Sequence, residues 1–175
     1  MNSSVPAYAA TSSVLARAAC RLLSFGQHAS VLIERWLTPA FDLAIRLYVA
    51  NVFFKSGLTK IQDWGSTVAL FQYEYQVPVL PPELAALLGT AGELGLPVLL
   101  ALGLAGRFGA AGLSVMNVVA VISYADISDL GRQDHLLWGA LLLVTLLHGP
   151  GRWSLDGWLQ RRRAGVTSGA GVAVN

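Results

Sequence analysis

Four apolar runs constrain this chain more than any other feature. They cover about Pro39–Leu58, Glu83–Leu104, Phe108–Tyr124 and His135–Leu147. A helix needs roughly 20 apolar residues to cross a bilayer. A chain of 175 residues has room for four such spans and their loops, and none for a separate soluble domain. Only 13% of its residues are charged, against about 25% in soluble domains. The expected fold is all-α: an integral membrane four-helix bundle preceded by an N-terminal amphipathic interfacial helix.

The segments divide accordingly into residues 1–38, 39–150 and 151–175. Residues 1–11 carry no positive charge and no compact apolar run follows them, so they do not read as a signal peptide; they are expected to be disordered. From Ser13 to Leu37, Val14, Ala18, Leu22, Phe25, Ala29, Leu32 and Trp36 recur at helical spacing. Arg17, Arg21, Ser24, His28 and Arg35 follow the same spacing on another face. Such a helix lies in the membrane surface or docks on one end of the bundle. Residues 39–150 hold the four spans. A long connector, Ile61 to Pro82, follows the first; Asp63, Gly65 and Ser66 mark a helix start within it, and Pro78, Pro81 and Pro82 end it. The turn Ala105-Gly106-Arg107 makes the second and third spans antiparallel neighbours. Beyond Gly149-Pro150-Gly151, the expectation is a short surface helix over Trp153–Leu159, then Arg161-Arg162-Arg163 and a disordered tail.

Lysine and arginine mark the cytoplasmic side of a membrane protein. Arg17, Arg21, Arg35, Arg107, Arg152 and Arg161 to Arg163 all fall on one side of a four-span chain. The opposite loops carry Asp63, Glu74, Asp126, Asp129 and Asp134 against Lys60 and Arg132. Both termini are therefore expected in the cytoplasm.

Composition also narrows the chemistry. Cys20 is the one cysteine, which leaves no internal disulfide, no CxxC pair and no cysteine-held iron–sulfur cluster. The net charge of +2 and the lack of a basic patch interleaved with aromatics argue against nucleic acid. His135 and His148 stand at opposite ends of the fourth span, about 20 Å apart, so no metal site is expected. No P-loop, GxGxxG turn or nucleophile elbow occurs.

Ionisable and amide side chains inside the spans are the informative residues, because each is costly in lipid and usually faces the bundle interior. At ~1.5 Å per residue, Asn51, Glu93 and Asn117 share one depth near the midplane. Arg46 lies less than two turns nearer the cytoplasm, and Lys55 about one turn below the outer end of the first span. Pro97 cannot donate to the carbonyl of Glu93, so a carboxylate, a freed carbonyl and a kink coincide. Two readings fit: a Glu93–Arg46 pair that locks the bundle, or a binding cavity in which Glu93 handles a ligand or a proton.

The pattern Arg46…Phe53-Phe54…Gly57…Lys60, then Gly92-Glu93…Gly103-Leu104…Arg107, resembles the DoxX family of small bacterial membrane proteins, over roughly Phe41 to Leu147. Leu58 to Trp64, the Val77–Pro82 turn and His148 to Arg152 resemble one bacterial subgroup, similar to proteins that accompany metal- or stress-related peptide maturation systems. The resemblance implies a four-helix bundle in the bacterial inner membrane. Its relatives include a subunit of a thiosulfate:quinone oxidoreductase and members of membrane complexes that handle oxidative stress. Arg46, Lys60, Glu93 and Arg107 match the family's recurring charged positions.

Three functions follow as expectations. The first is a quinone-linked redox subunit, with Glu93 and Arg46 as catalytic candidates. Asn51, Asn117, Lys55 and Lys60 are then the cofactor-binding candidates, and quinone the candidate cofactor. The second is a non-catalytic anchor that recruits other protein subunits through its two ends. The third is a small transporter, for which four spans without an inverted repeat are poorly suited. The bilayer is the certain partner, and the glycine-lined faces Gly89-Gly92-Gly95 and Gly109-Gly112 offer contacts within the bundle or between copies in a homo-oligomer.

Overall fold

The computed structural model describes residues 31–170, with side chains through Arg163. Residues 1–30, which hold most of the expected amphipathic helix and Cys20, lie outside the described residues, as do residues 171–175. The chain divides into two compact units, Met1–Pro39 and Ala40–Asn175. In the first, Ile33–Leu37 is a π-helical turn, closed by the Thr38 N–H donating to the Ile33 carbonyl. The Arg35 guanidinium lies over the Trp36 ring at 5.8 Å.

Six α-helices follow: α1 (Thr38–Gln62), α2 (Trp64–Tyr73), α3 (Pro82–Leu102), α4 (Gly106–Ser123), α5 (Asp129–His148) and α6 (Leu155–Ala170). Among the described residues there is no strand, only an isolated antiparallel bridge between Tyr75 and Tyr124.

Local chemistry sets most of these boundaries. Asp63 caps α2, accepting from the Ser66 N–H at 3.0 Å and the Ser66 hydroxyl at 2.6 Å. Both bonds hold its carboxyl below the usual carboxylate range. Pro82 opens α3, where its missing N–H costs nothing. Gly103 ends α3 in the left-handed region at φ +64°. Ser128 caps α5 through the Gly131 N–H. α6 is longer than the sequence suggested. It continues through Arg161-Arg162-Arg163 to Ala170, with no proline between Gly157 and Ala170 to stop it once the Ser154 hydroxyl has capped it through the Gly157 N–H at 3.0 Å.

Among the described residues, three helices are long and apolar enough to cross a membrane: Ile33–Gln62, which is α1 with the π-helical turn, then α3 and α4. The fourth apolar run lies in α5. However, Asp129, Arg132, Gln133, Asp134 and His135 fill its first two turns and lower its hydropathy, so it does not join the other three by that measure.

The surface is inverted relative to a soluble protein. Leu47, Phe54, Leu87, Val98, Val115, Ile122 and Leu143 are exposed, while Arg46, Thr90, Asn117 and Thr145 are buried. Lipid is the solvent that rewards this arrangement. One core joins Val49, Ala50 and Phe53 of α1, Leu100 of α3, Ala110 and Leu113 of α4, and Leu142 of α5. A smaller one, Phe71 with Ala85 and Ala86, seats α2 on α3.

Candidate functional site

Two polar centres occupy opposite ends of this core. At one end, α1 and α3 approach closely at Gly57. A Cβ there would stand 2.9 Å from Leu94 and 3.1 Å from the Glu93 backbone. This contact brings Lys60, in the last turn of α1, onto Glu93 in the middle of α3. The Lys60 Nζ donates to both Glu93 oxygens, at 2.9 and 2.7 Å, and to the Ser56 hydroxyl at 2.9 Å. Both charged side chains are largely buried, at 12% and 15% exposure. An ammonium has three N–H donors, and all three are engaged. The Glu93 carboxylate accepts only, and keeps lone pairs to spare.

That pair lines a cavity of about 290 Å³ between α1, α3, α4 and the connector. Its walls are apolar: Phe71, Val77, Leu80, Leu88, Val115 and Met116. The connector forms one of its walls. The Gln76 N–H donates to the Ser123 carbonyl at 2.9 Å, and the Tyr75 ring lies between Phe71 and Tyr124, with centroids 5.2 Å away on each side. Burial raises the Tyr75 phenol above its usual value, and the Glu93 and Tyr124 charges add to this. The Ser123 hydroxyl, also on the cavity, is buried without a hydrogen-bond partner. An apolar chamber thus presents a carboxylate that accepts and a hydroxyl that can donate.

The second centre is Arg46, which is fully buried. Its guanidinium donates to the carbonyls of Leu100 (3.3 Å), Ala101 (2.9 Å) and Trp153 (2.6 Å). It ties α1 to the end of α3 and to the segment before α6. Nearby, the Asp156 carboxylate accepts from the N–H groups of Ala105 (3.0 Å) and Gly106 (2.9 Å). An anion is favoured where a helix exposes unpaired N–H groups, so Asp156 supplies the cap that α4 lacks locally. The Asp156 N–H in turn donates to the Gly103 carbonyl at 3.0 Å.

The candidates from the sequence therefore separate. Glu93 and Lys60 meet in one cavity. The Glu93–Arg46 pair does not form: Lys60 is the partner of Glu93, and Arg46 binds carbonyls at the other end. Asn117 is buried but clamps His135, donating to its carbonyl at 2.9 Å and meeting its Nδ1 at 2.7 Å. Asn51 is exposed beside Pro97 in a shallow apolar groove, and Lys55 is exposed. Asn51, Glu93 and Asn117 do not share a site, and Gly57 rather than Asn51 is the α1 residue level with Glu93. Sequence reasoning passed over Ser56, Tyr75 and Ser123. Ser56 had a signal, four residues before Lys60 on the same helix face.

These observations define a class: a small, all-helical, multi-pass membrane protein with a buried ion pair in an apolar chamber. Residues 41–125 match the DoxX family model. These residues form a DoxX-like domain. The chain is similar to an uncharacterized protein of Haemophilus influenzae, with 28% identity over 144 residues, 78% of this chain and 87% of the relative. No solved structure matches.

Proposed function

We propose that the chain is an inner-membrane subunit whose Lys60–Glu93 chamber binds the headgroup of a membrane quinone. The observation that carries the reading is the buried ion pair facing apolar walls and the unpartnered Ser123 hydroxyl. A quinone carbonyl can accept from Ser123. A quinol hydroxyl can donate to Glu93, whose spare lone pairs suit it to take a proton. Quinone reduction takes up two electrons and two protons; Glu93 is positioned to relay both protons in turn from the aqueous side to the headgroup, and the electrons come from a reduced partner subunit or a small reduced donor. Few polar groups in a mostly apolar pocket are what such ligands require.

In this reading α5 is the fourth span. Support comes from its length, about 30 Å for 20 residues, and from Leu142, Trp138 and Leu141 packing into the shared core. The end that carries Arg107, Arg152 and Arg161 faces the cytoplasm, as does the C-terminus, by the excess of basic residues there.

The test is purification of the full chain in mild detergent, organic extraction and mass spectrometry. Near-stoichiometric quinone in the wild type, lost in Ser123→Ala and Glu93→Gln, supports the reading. Quinone at background level in the wild type overturns it. A second reading, a non-catalytic anchor for other subunits, rests on the exposed face of α6, where Arg162 stacks 4.0 Å over the Trp158 ring. A co-purifying protein lost on truncation after Gly151, with no bound quinone, is its expected outcome.

A further inference from the structure

The end of the molecule opposite the quinone chamber holds a concavity of about 680 Å³ that neither the core nor the ion pair uses. It lies between the start of α4, the end of α5 and the first turns of α6. Arg107, His148, Arg152 and Arg161 line it. Its one carboxylate, Asp156, already has an oxygen on each of the Ala105 and Gly106 N–H groups. Two of the arginines are steadied by single bonds to main-chain carbonyls. Arg107 donates to Leu147 at 3.2 Å, and Arg161 to Arg152 at 3.0 Å. Among the described residues, no carboxylate pairs with any of the three guanidinium groups. Each guanidinium carries five N–H donors in a planar fork suited to phosphate oxygens, so among the described residues most of that capacity is uncommitted.

The apolar surroundings fix the kind of anion. Phe108, next to Arg107 and on the rim, is 65% exposed, and Leu147, beside His148, is 64% exposed. Both belong to the lipid-facing surface of α4 and α5. A phosphate among the arginines would therefore have exposed apolar side chains directly beside it, where acyl chains can lie. A free phosphate would leave them bare.

We infer that this concavity is a binding site for the headgroup of an anionic phospholipid, held by Arg107, Arg152 and Arg161 with its acyl chains against Phe108 and Leu147. Basic pockets between helices at a membrane boundary recognise such headgroups. The site is independent of the quinone chamber, and it couples lipid to the junction where Asp156 and Arg46 hold α6 to the bundle.

The test uses the full chain in mild detergent, with native mass spectrometry of bound phosphatidylglycerol and phosphatidylcholine. The site predicts retention of phosphatidylglycerol over phosphatidylcholine. It also predicts a loss of about tenfold or more in the double variant Arg107→Gln/Arg152→Gln. The control Arg35→Gln/Arg132→Gln removes the same charge elsewhere and should retain the lipid. Thermal melting without added lipid checks that the pocket variant is folded; if it is not, Arg161→Gln alone, on the surface of α6, replaces it. Equal retention of the two lipids, or equal loss in pocket and control variants, overturns the proposal. Full displacement of phosphatidylglycerol by millimolar inorganic phosphate also overturns it, by making the site one for a free anion.

Discussion

Replacing Arg46 with methionine should weaken the attachment of α6 without emptying the quinone chamber. Methionine fills much of the same volume but removes every donor. Three carbonyls then lose the guanidinium: Leu100, Ala101 and Trp153. Leu100 keeps a bond from the Gly103 N–H at 3.1 Å, so two acceptors bear most of the loss. A buried acceptor left unsatisfied costs about 1–3 kcal/mol, which gives about 2–6 kcal/mol for two. Relief of the buried charge offsets part of this, because the Arg46 Nε has no partner and desolvating an ion is costly. The expected net loss is about 3 kcal/mol. At roughly 2–4 °C per kcal/mol for a chain of this size, the melting temperature in detergent falls by about 6–12 °C. Limited proteolysis should cut after Arg152 or Arg161 before the helices of the bundle are touched. Arg46→Lys keeps the charge but not the fork, and should fall between the two. A methionine variant that melts within 2 °C of the wild type, with α6 equally protected, would refute the account of Arg46 as the pin between α1, α3 and α6.

Other predictions follow from single contacts. Glu93→Gln leaves the Lys60 ammonium partly buried without a counter-charge, with the Ser56 hydroxyl and the amide oxygen as its neutral acceptors, and should cost about 2 kcal/mol; the exchange Lys60→Glu with Glu93→Lys should recover most of it in thermal melts. Gly103→Ala forces an alanine into the left-handed region, at about 1–2 kcal/mol, and sets its Cβ against Ser154 and Arg46. It should be far more damaging than Gly65→Ala, where only Asp63 Oδ1, at 3.5 Å, is near. In an alkaline spectrophotometric titration, Tyr75 should deprotonate late, above the usual phenol range. Its folded value is raised, so its contribution to stability is present below pH about 10 and is lost as pH rises through the folded value. Tyr75→Phe should remove that late phase, and a wild-type curve with a single transition would contradict the burial argument.

How much of this was legible beforehand depended on the range of the interaction. The Asp63-Gly65-Ser66 pattern predicts the start of α2 because a cap reaches only three residues along the chain. The apolar runs predict α1, α3 and α4 because each segment meets lipid on its own terms. Depth counted from helix rise did not carry over, because it also depends on how far each helix is shifted along its neighbour: Gly57, not Asn51, meets Glu93, and Asn51 lies beside Pro97. Which way each points was not local. It depends on the rotation of each helix in the bundle, and that rotation turned Asn51 outward, Asn117 toward His135 and Glu93 toward Lys60. The reach of Arg46 alone left Glu93 as a plausible partner; the choice fell instead to Gly57, which lets α1 and α3 close enough to seat Lys60.

By itself, then, the sequence determined that this is an all-helical membrane protein, where its apolar helices run, and that Glu93 and Lys60 belong among its functional candidates. Those properties follow from the cost of placing each residue in lipid and from its immediate neighbours. Tertiary structure decided the pairing of the charges, the seating of Tyr75 and the connector along the chamber, and the role of Arg46 as a structural tie. Each of these joins residues dozens of positions apart, and only the packing of whole helices sets which of several chemically acceptable partners comes within hydrogen-bonding distance.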